Sequence, residues 1–451
     1  MKADLLIIGA GPGGYETALS AARQGKSVIL FNGGQLGGTC LNEGCIPTKC
    51  LCRNAEVISL FKEGEKYGID DFAFSVDYNK ILARKKDVVS TLQKGVETLL
   101  SQAKVTVVNA MASFKDNKTV IADGEEYEGE NIIIATGSVS KSLPIPGHDL
   151  ECVMDSTSIL NLEYIPAQLT IIGGGVIGME FASIFSQLGS KVTVIEYMKQ
   201  ILPPFDADIA KRLKQTLSKK GINIITGATA KAIRQNEFYE IEVTYEVKGK
   251  EEKVVSSDLL IAVGRSPRVE GLNLEKAGVS FSNKGIPVDD FMQTNVPGIY
   301  AIGDVNARMM LAHVASAQGE RALNVINKES DKLRFDLIPS AVFTNPECGM
   351  VGKTEEQCKE EKIEVLIGSS FFRANGKALA LGEPDGICKL IFRKDDGLLI
   401  GAHIMGVEAA DLAQQCADLM NRDTTLAELK DIIFGHPTVS EVIISAARAA
   451  K

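Results

Sequence analysis

Two cysteines, Cys40 and Cys45, stand in the segment GGTCLNEGCIPTK with four residues between them. Two thiols at this spacing can ligate a metal, form a structural disulfide or act as a redox couple. Zinc sites favour C-x2-4-C spacing with a second pair of Cys or His ligands. Cys50 and Cys52 lie nearby, but no His cluster follows. A regular helix rises about 7.5 Å over five residues, more than the Cα separation of about 6.8 Å that a disulfide spans, so a bridge here requires an interrupted helix and would be easily reduced.

The segment GHPTVSE, residues 435–441, is the second candidate for chemistry. Pro437 biases the backbone of His436 away from a helix, and Thr438-x-x-Glu441 predicts a capping box that opens a helix. A neutral imidazole with a carboxylate partner is also a general base suited to removing a thiol proton near pH 7. The segment is therefore either an ordinary helix start or a base whose tautomer Glu441 fixes.

An internal repeat in the sequence predicts the elements that position these side chains. Residues 3–32 and 167–196 align without a gap, and each has an apolar run, G-x-G-x-x-G, an amphipathic stretch and a β-branched run. This order is the strand, phosphate loop, helix and strand of a dinucleotide-binding βαβ unit, whose helix N-terminus attracts phosphates. The loop glycines are Gly9, Gly11 and Gly14 in the first copy and Gly173, Gly175 and Gly178 in the second.

The residue after the second strand of each unit indicates which nucleotide it binds. The second copy ends in Glu196, whose carboxylate can accept a hydrogen bond from a ribose 2′-OH and would repel a 2′-phosphate, so NAD is favoured over NADP. The first copy has Phe31 and Asn32 there. An amide lacks the charge-assisted strength of a carboxylate, so we expect weaker nucleotide retention in that unit.

Length and composition exclude several classes of protein. A chain of 451 residues predicts two to four domains. The net charge of −9 argues against a nucleic-acid partner, because phosphate binding needs clustered cations. No apolar run approaches the roughly 18–20 residues that span a bilayer, and nine scattered cysteines are not a secreted disulfide framework. We therefore expect a cytoplasmic protein without a membrane partner.

The cysteine segment resembles the active-site signature of the flavin-dependent pyridine nucleotide-disulfide oxidoreductases. ATGSVSKSLPIPG (135–147) and TNVPGIYAIGDV (294–305) resemble two further motifs of this family. The resemblance implies FAD and NAD as cofactors, no metal, and a redox disulfide between Cys40 and Cys45 beside the flavin. It also implies an ion pair between Lys49 and Glu180 at the flavin edge.

Further roles follow from the same resemblance. Asp304, at a strand end, would bind the flavin's ribityl chain, and His313 would pack near the flavin with a structural role. His148 and His403 are also expected to be structural. The remaining residues implied are Ala112, Thr136, Gly137 and Ala312 for FAD, and Ala230 and Gly264 for NAD.

The tail resembles the HPTxSE ending of the dihydrolipoyl dehydrogenase branch of this family. The branch implies a homodimer in which His436 and Glu441 act on the other subunit's disulfide. Its implied partner is a lipoyl-bearing protein of a 2-oxo acid dehydrogenase or glycine cleavage system. Alternatives are a related disulfide reductase similar to glutathione reductase, or a redox-responsive nucleotide-binding subunit that does not turn over lipoamide.

The predicted fold class is α/β, with two Rossmann-like dinucleotide-binding domains and a C-terminal α+β dimerisation domain. An FAD domain is expected at 1–140, completed by a central segment at 265–333, with an NAD domain at 141–264 between them and an interface domain at 334–451. Two hairpins are predicted, one within 235–255 and one around the turn at Asp396 and Gly397.

Overall fold

The computed structural model describes residues 1–70 and 73–451, which form three large sheets with helices packed against them. The first sheet has seven strands in the order β3-β2-β1-β6-β5-β4, with β17 also pairing with β6. Its strands β1, β2, β3, β6 and β17 run parallel, while β4 and β5 form antiparallel pairs. The bounds are β1 Lys2–Ile8, β2 Val28–Phe31, β3 Thr106–Val108, β4 Ala112–Phe114, β5 Thr119–Ala122, β6 Glu125–Ile134 and β17 Ile299–Ala301.

The second sheet is parallel throughout and has the order β11-β10-β9-β15-β8. Beside it lie a three-stranded antiparallel sheet, β12-β13-β14, and a short pair, β7 with β16. The bounds are β7 Ser138–Ser140, β8 Val153–Met154, β9 Gln168–Ile172, β10 Lys191–Glu196, β11 Asn223–Thr226, β12 Ala228–Gln235, β13 Ile241–Val247, β14 Lys250–Ser256, β15 Asp258–Ile261 and β16 Arg265–Pro267. The hairpin predicted within 235–255 is confirmed as β13 and β14.

The third sheet is antiparallel, in the order β18-β19-β22-β21-β20. The predicted hairpin around Asp396 and Gly397 is confirmed as β21 and β22, and Gly397 has a φ of +74° in the turn. The bounds are β18 Ser340–Val342, β19 Cys348–Gly352, β20 Val365–Phe371, β21 Ile387–Arg393 and β22 Leu399–Met405.

Helices cover the faces of these sheets and join them. Their bounds are α1 Pro12–Arg23, α2 Gly38–Glu43, α3 Cys45–Lys62, α4 Tyr78–Gln102, α5 Val176–Leu188, α6 Ala207–Lys219, α7 Ala312–Ile326, α8 Glu355–Glu360, α9 Gly376–Ala380, α10 Ala409–Asn421, α11 Leu426–Asp431 and α12 Glu441–Arg448. Short 3-10 helices occupy Gly64–Tyr67, Ile159–Asn161, Leu274–Ala277, Gly303–Asn306 and Phe372–Ala374. Within the described ranges, none of the helices is long and apolar enough to cross a membrane.

The two copies of the repeat fold in the same way, as β1-α1-β2 and β9-α5-β10. In both, the third loop glycine lies against the first. A Cβ on Gly14 would overlap the carbonyl oxygen of Gly9, and one on Gly178 would overlap that of Gly173. The helix can therefore pack this closely on its strand only because both positions lack a side chain.

Candidate active site

The two cysteines lie on either side of a break between two helices. Cys40 belongs to α2 and Cys45 begins α3, and Gly44 between the helices has a non-helical φ of −146° and ψ of −107°. This is the interruption that a bridge between the two sulfurs requires. Cys40 is half-buried and Cys45 is exposed to a large cleft, both as free thiols.

The surroundings distinguish the two thiols electrostatically. A hydrogen bond between the thiols lowers the pKa of Cys45, and the positive charge of Lys49 lowers it further. The same hydrogen bond, together with burial, raises the pKa of Cys40. Cys45 is therefore the thiol that ionises first, and both sulfur-bearing residues line the cleft.

Lys49 lies one turn after Cys45 on α3 and forms an ion pair with Glu180 of α5. Its Nζ is 2.9 Å from both carboxylate oxygens, and Glu180 is 5% exposed. Burial lowers the pKa of Lys49, but the pKa is raised overall, with the charge of Glu180 as the largest of the opposing effects. Glu180 Oε1 also accepts a hydrogen bond of 2.9 Å from the backbone N–H of Phe343, whose ring centroid is 4.5 Å from Lys49 Nζ.

Zinc ligation by the cysteine pair would require further ligands beside it. Cys52 is buried, and its Sγ lies 3.4 Å from the carbonyl oxygen of Phe343. Cys50 is buried as well. Over residues 1–70 and 73–451, no group of three or more His, Cys, Asp or Glu side chains is arranged to hold a metal ion.

A single cleft of about 1930 Å³ joins the cysteine pair to both glycine loops. Pockets for one small ligand typically measure about 300–1,000 Å³, so this cleft has room for more than one. It is lined by most of the residues predicted from the sequence: Gly9, Gly11, Asn32, Ala112, Thr136, Gly137, Asp304 and Ala312 on the first sheet's side, and Gly173, Gly175, Glu196, Ala230 and Gly264 on the second's. Gly14 and Gly178 lie behind the loops and act on their shape.

The first glycine loop leaves room for a dinucleotide. A Cβ on Gly9 would overlap Ala135, whereas the nearest atom to a Cβ on Gly11 is 3.9 Å away, so the loop packs closely at Gly9 and is open at Gly11. Asn32 is buried at the end of β2, and its Nδ2 donates to Asn109 Oδ1 at 2.9 Å. These features fit the pyrophosphate and ribose of FAD, with an amide at the ribose position.

Asp304 lies in the 3-10 helix Gly303–Asn306 after β17, not at the strand end that the sequence predicted. Its Oδ2 accepts a hydrogen bond of 2.5 Å from Ser138 Oγ. Arg265 lies against the same serine, since its Nε is 2.7 Å from Ser138 Oγ. Ser138 and Arg265 could not be paired from sequence patterns, because β7 and β16 are separated by the whole second nucleotide-binding unit.

Glu196 is buried at the end of β10 and holds the second glycine loop. Its carboxylate accepts hydrogen bonds of 2.5 Å from the backbone N–H groups of Gly174 and Met198. It also lines the cleft, where a ribose would lie against it. Ala230 lies at a bulge in β12, and Gly264 has a φ of +113°.

His436 projects outward, away from the cleft of its own chain. Its side chain is 77% exposed, and its Nδ1 is 3.0 Å from Glu441 Oε1. The predicted capping box is wrong. Glu441 does accept from the N–H of Thr438, but the Thr438 hydroxyl donates to the Gly435 carbonyl, and the helix N-cap is Ser440. The pKa of Glu441 is lowered mainly by the hydrogen bond from the N–H of Thr438 and also by the hydrogen bond with His436.

The other histidines occupy different environments. His403 is buried in β22, with its Nε2 2.9 Å from the Lys353 carbonyl oxygen. His148 Nδ1 is 3.3 Å from Ser142 Oγ. His313 lies at the start of α7 and is exposed on the cleft wall.

The fold and site define a class: a two-nucleotide enzyme whose dithiol opens onto the same cleft as both phosphate loops. Residues 3–319 match the family model described as pyridine nucleotide-disulphide oxidoreductase, and residues 338–447 match the dimerisation domain of that family. The chain belongs to this family. It is an FAD-dependent, NAD-linked disulfide oxidoreductase, and the predicted fold class and cofactors are confirmed.

Similar proteins narrow the class further. The chain is 40% identical to a dihydrolipoyl dehydrogenase of Bacillus subtilis (strain 168), over 97% of this chain and 96% of that protein. It is 38% identical to a dihydrolipoyl dehydrogenase of Geobacillus stearothermophilus, over 100% of this chain and 96% of that protein. Among solved structures, the HOCl-induced flavoprotein disulfide reductase RclA from Escherichia coli superposes with a TM-score of 0.89 at 30% identity, covering 99% of this chain and 100% of RclA. The resemblance to the dihydrolipoyl dehydrogenase branch is thus confirmed.

Proposed function

We propose that the protein oxidises protein-bound dihydrolipoamide with NAD+, using Cys40 and Cys45 as the redox couple and FAD as the carrier between them and NAD+. The observation that carries this proposal is the cysteine pair astride the helix break at Gly44, in one cleft with both glycine loops. The lipoyl group of the relatives' substrate is a dithiol, which suits exchange with a disulfide.

The two cysteines have different roles in the proposed reaction. A thiolate of the substrate attacks the Sγ of Cys40, breaks the Cys40–Cys45 bond and leaves Cys45 as a thiolate. The second substrate thiol then attacks the mixed disulfide, so lipoamide leaves and Cys40 becomes a thiol. The substrate has lost two electrons and two protons, and the cysteine pair holds the electrons. The lowered pKa of Cys45 supports its role as the stable thiolate.

The base in this reaction is His436, held by Glu441. Its exposed ring lies outside the cleft of its own chain, so the proposal assigns it to the partner subunit's cysteine pair in a homodimer. The matched dimerisation domain supports this assembly. Glu441 accepts from Nδ1, which leaves Nε2 free to take a thiol proton.

Bound FAD would supply two-electron transfer between the Cys45 thiolate and NAD+. Lys49, fixed by Glu180, would hold the flavin edge and balance the thiolate's charge. Gly9, Gly11 and Asn32 would bind the adenosine diphosphate part. The other proposed contacts to FAD are Ala112, Thr136, Gly137, Asp304 and Ala312.

The second loop would bind NAD through Gly173, Gly175, Glu196, Ala230 and Gly264.

The proposed domains have the boundaries 1–140, 141–264, 265–333 and 334–451. The partner would be a lipoyl-bearing protein of a 2-oxo acid dehydrogenase or glycine cleavage system. Nine scattered cysteines, unlike a secreted disulfide framework, suit the reducing cytoplasm, where we place the protein.

Anaerobic titration of the purified flavoprotein with dihydrolipoamide tests the proposal. A long-wavelength absorption band is expected from the thiolate of Cys45 beside oxidised flavin, and NAD+ should then be reduced. Cys45→Ser should abolish the band, and Cys40→Ser should retain a thiolate band without substrate turnover. A band that persists in Cys45→Ser would contradict the assignment.

The similarity to RclA makes another disulfide reductase the second candidate. Turnover of oxidised glutathione or another disulfide in preference to lipoamide would favour it. A colourless protein that forms no NADH from dihydrolipoamide, even with added FAD, would favour a redox-responsive binding subunit.

A further inference from the structure

Lys389 is an ammonium buried between separate parts of the chain. It lies on β21, within the matched dimerisation domain, and its side chain is 2% exposed. Its Nζ lies 2.9 Å from Asp206 Oδ1, 2.8 Å from Asp208 Oδ2 and 2.8 Å from Glu355 Oε2. One cation of the C-terminal sheet therefore holds the start of α6, which belongs to the second nucleotide-binding unit.

Asp206 is the centre of this network and is fully buried. Its Oδ1 accepts from the N–H of Asp208 and caps α6, and its Oδ2 accepts from the N–H of Glu355 at 3.2 Å. A buried ion pair contributes little net stability relative to an apolar core, but removing one partner leaves an uncompensated charge. The network therefore acts mainly on the position of the chain at Asp206.

The chain leading to Asp206 forms a wall of the cleft. Pro203, Pro204 and Phe205 line it beside the second glycine loop. The N–H of Leu202 donates to the carbonyl of Gly174 at 2.9 Å, so the wall and the loop are directly connected.

Leu202 also has a φ of +47°, a left-handed conformation that a branched side chain adopts only where its surroundings impose it. One end of the segment is held by Gly174. The other end is held by Asp206 and hence by Lys389.

We propose that Lys389 is a positioning residue for the pyridine nucleotide site, acting through Asp206 on the segment 202–206. Without the ammonium, the buried carboxylate of Asp206 is left uncompensated, and the wall beside Gly174 loses its outer anchor. The cysteine pair is carried by α2 and α3, whereas this anchor joins β21 to the start of α6. This inference rests on the proposed function only in naming NAD+ as the nucleotide that turns over.

The test compares Lys389→Met with wild type as flavin-loaded dimers. The dissociation constant of NAD+ for the oxidised flavoprotein, measured by calorimetry, should rise at least tenfold, and so should KM for NAD+. The rate at which dihydrolipoamide produces the long-wavelength band in single-turnover mixing should stay within twofold. Lys389→Arg, which keeps the charge, should recover most of the affinity.

Lys394→Met is the matched control. Lys394 lies in the turn of the same hairpin and pairs with Glu364 at 2.9 Å, but its side chain is 58% exposed. The Lys394→Met variant should bind NAD+ with the same affinity as wild type. If Lys389→Met is poorly loaded with flavin, Asp206→Asn provides the second measurement and should also weaken NAD+ binding at least tenfold.

The outcomes separate this inference from the proposed function. Unchanged NAD+ affinity in flavin-loaded Lys389→Met or Asp206→Asn overturns the inference, whatever the substrate. Equal loss in the nucleotide and dithiol measurements also overturns it, because a general structural role would affect both. A wild-type protein that binds NAD+ but forms no NADH from dihydrolipoamide overturns the proposed function alone.

Discussion

Removing Lys49 from its ion pair with Glu180 should destabilise the protein more than removing the charge of Glu180. At 2.9 Å and an effective dielectric constant of about 20, the gross attraction is about 6 kcal/mol. Lys49→Met leaves the carboxylate of Glu180 only 5% exposed, with the N–H of Phe343 as its remaining partner. Loss of one partner of a buried pair costs about 3–5 kcal/mol, so this variant should be strongly destabilised.

Glu180→Gln should cost much less. The amide oxygen still accepts from the N–H of Phe343, and Lys49, with 33% of its side chain exposed, regains water. We expect a loss of about 1 kcal/mol, typical of one exchanged hydrogen bond. At roughly 2–4 °C per kcal/mol, Tm should fall by about 2–4 °C in Glu180→Gln and by about 6–20 °C in Lys49→Met.

Thermal unfolding by far-UV circular dichroism checks this order, with Lys2→Met as control. The pair of Lys2 and Glu128 is exposed by 77% and 49%, and surface pairs contribute at most about 1 kcal/mol. The two variants should also shift the pKa of Cys45 in opposite directions, upward without Lys49 and downward without Glu180. Alkylation rates of Cys45 against pH report this shift. The reasoning is refuted if Glu180→Gln destabilises as much as Lys49→Met, or if both move the thiol pKa in the same direction.

Three further outcomes are expected. Gly14→Ala should be purified without flavin, and Gly178→Ala should keep flavin but bind NAD+ at least tenfold more weakly. The control is Gly95→Ala, whose added Cβ meets nothing within 4 Å, and it should match wild type in flavin content and NAD+ affinity. His436→Gln should lower dihydrolipoamide turnover by about 10²–10⁴-fold while NADH-driven reduction of ferricyanide persists, and equal loss of both activities would argue against a role as base. Burial lowers the pKa of His403 below the 6.5 of a free imidazole, so on acidification the unfolded chain takes up a proton before the folded chain does. The free energy of unfolding should therefore fall as pH drops below about 6.5, by up to about 1.4 kcal/mol per pH unit. Tm measured at about pH 7.5 and 5.5 should show a smaller pH dependence in His403→Gln than in wild type.

Local patterns predicted the parts of this fold that local physics determines. The gapless repeat predicted both phosphate loops, because the contact of Gly14 with Gly9 and that of Gly178 with Gly173 lie within a few residues. The two hairpins followed from alternation and turn residues. The capping box failed because the helix has Ser440, two residues further on, as its N-cap, and the Thr438 hydroxyl donates to the Gly435 carbonyl instead of accepting from the helix.

Contacts between distant segments were inaccessible to such patterns. Lys49 and Glu180 are 131 residues apart, and only the family resemblance paired them. The contacts of Ser138 with Asp304 and Arg265, and of Lys389 with Asp206, form only once the sheets are assembled. The sequence alone marks them as an ordinary serine, arginine and lysine.

The asymmetry of the cysteine pair follows from where the helix breaks. Because the chain restarts its helix at Cys45, this sulfur lies at the N-terminus of the 18-residue helix α3, where unpaired N–H groups and the helix dipole favour a thiolate. Cys40 lies inside the short helix α2, where the hydrogen bond with the Cys45 thiol and burial raise its pKa and outweigh the opposite effects of Lys49 and of the Cys45 N–H. The four-residue step from Cys45 to Lys49 places the ammonium one turn along the same helix, and Glu180 fixes it there. The glycine break and the i,i+4 spacing thus add to the hydrogen bond between the two thiols in making them chemically different, which an ordered exchange with a dithiol substrate requires.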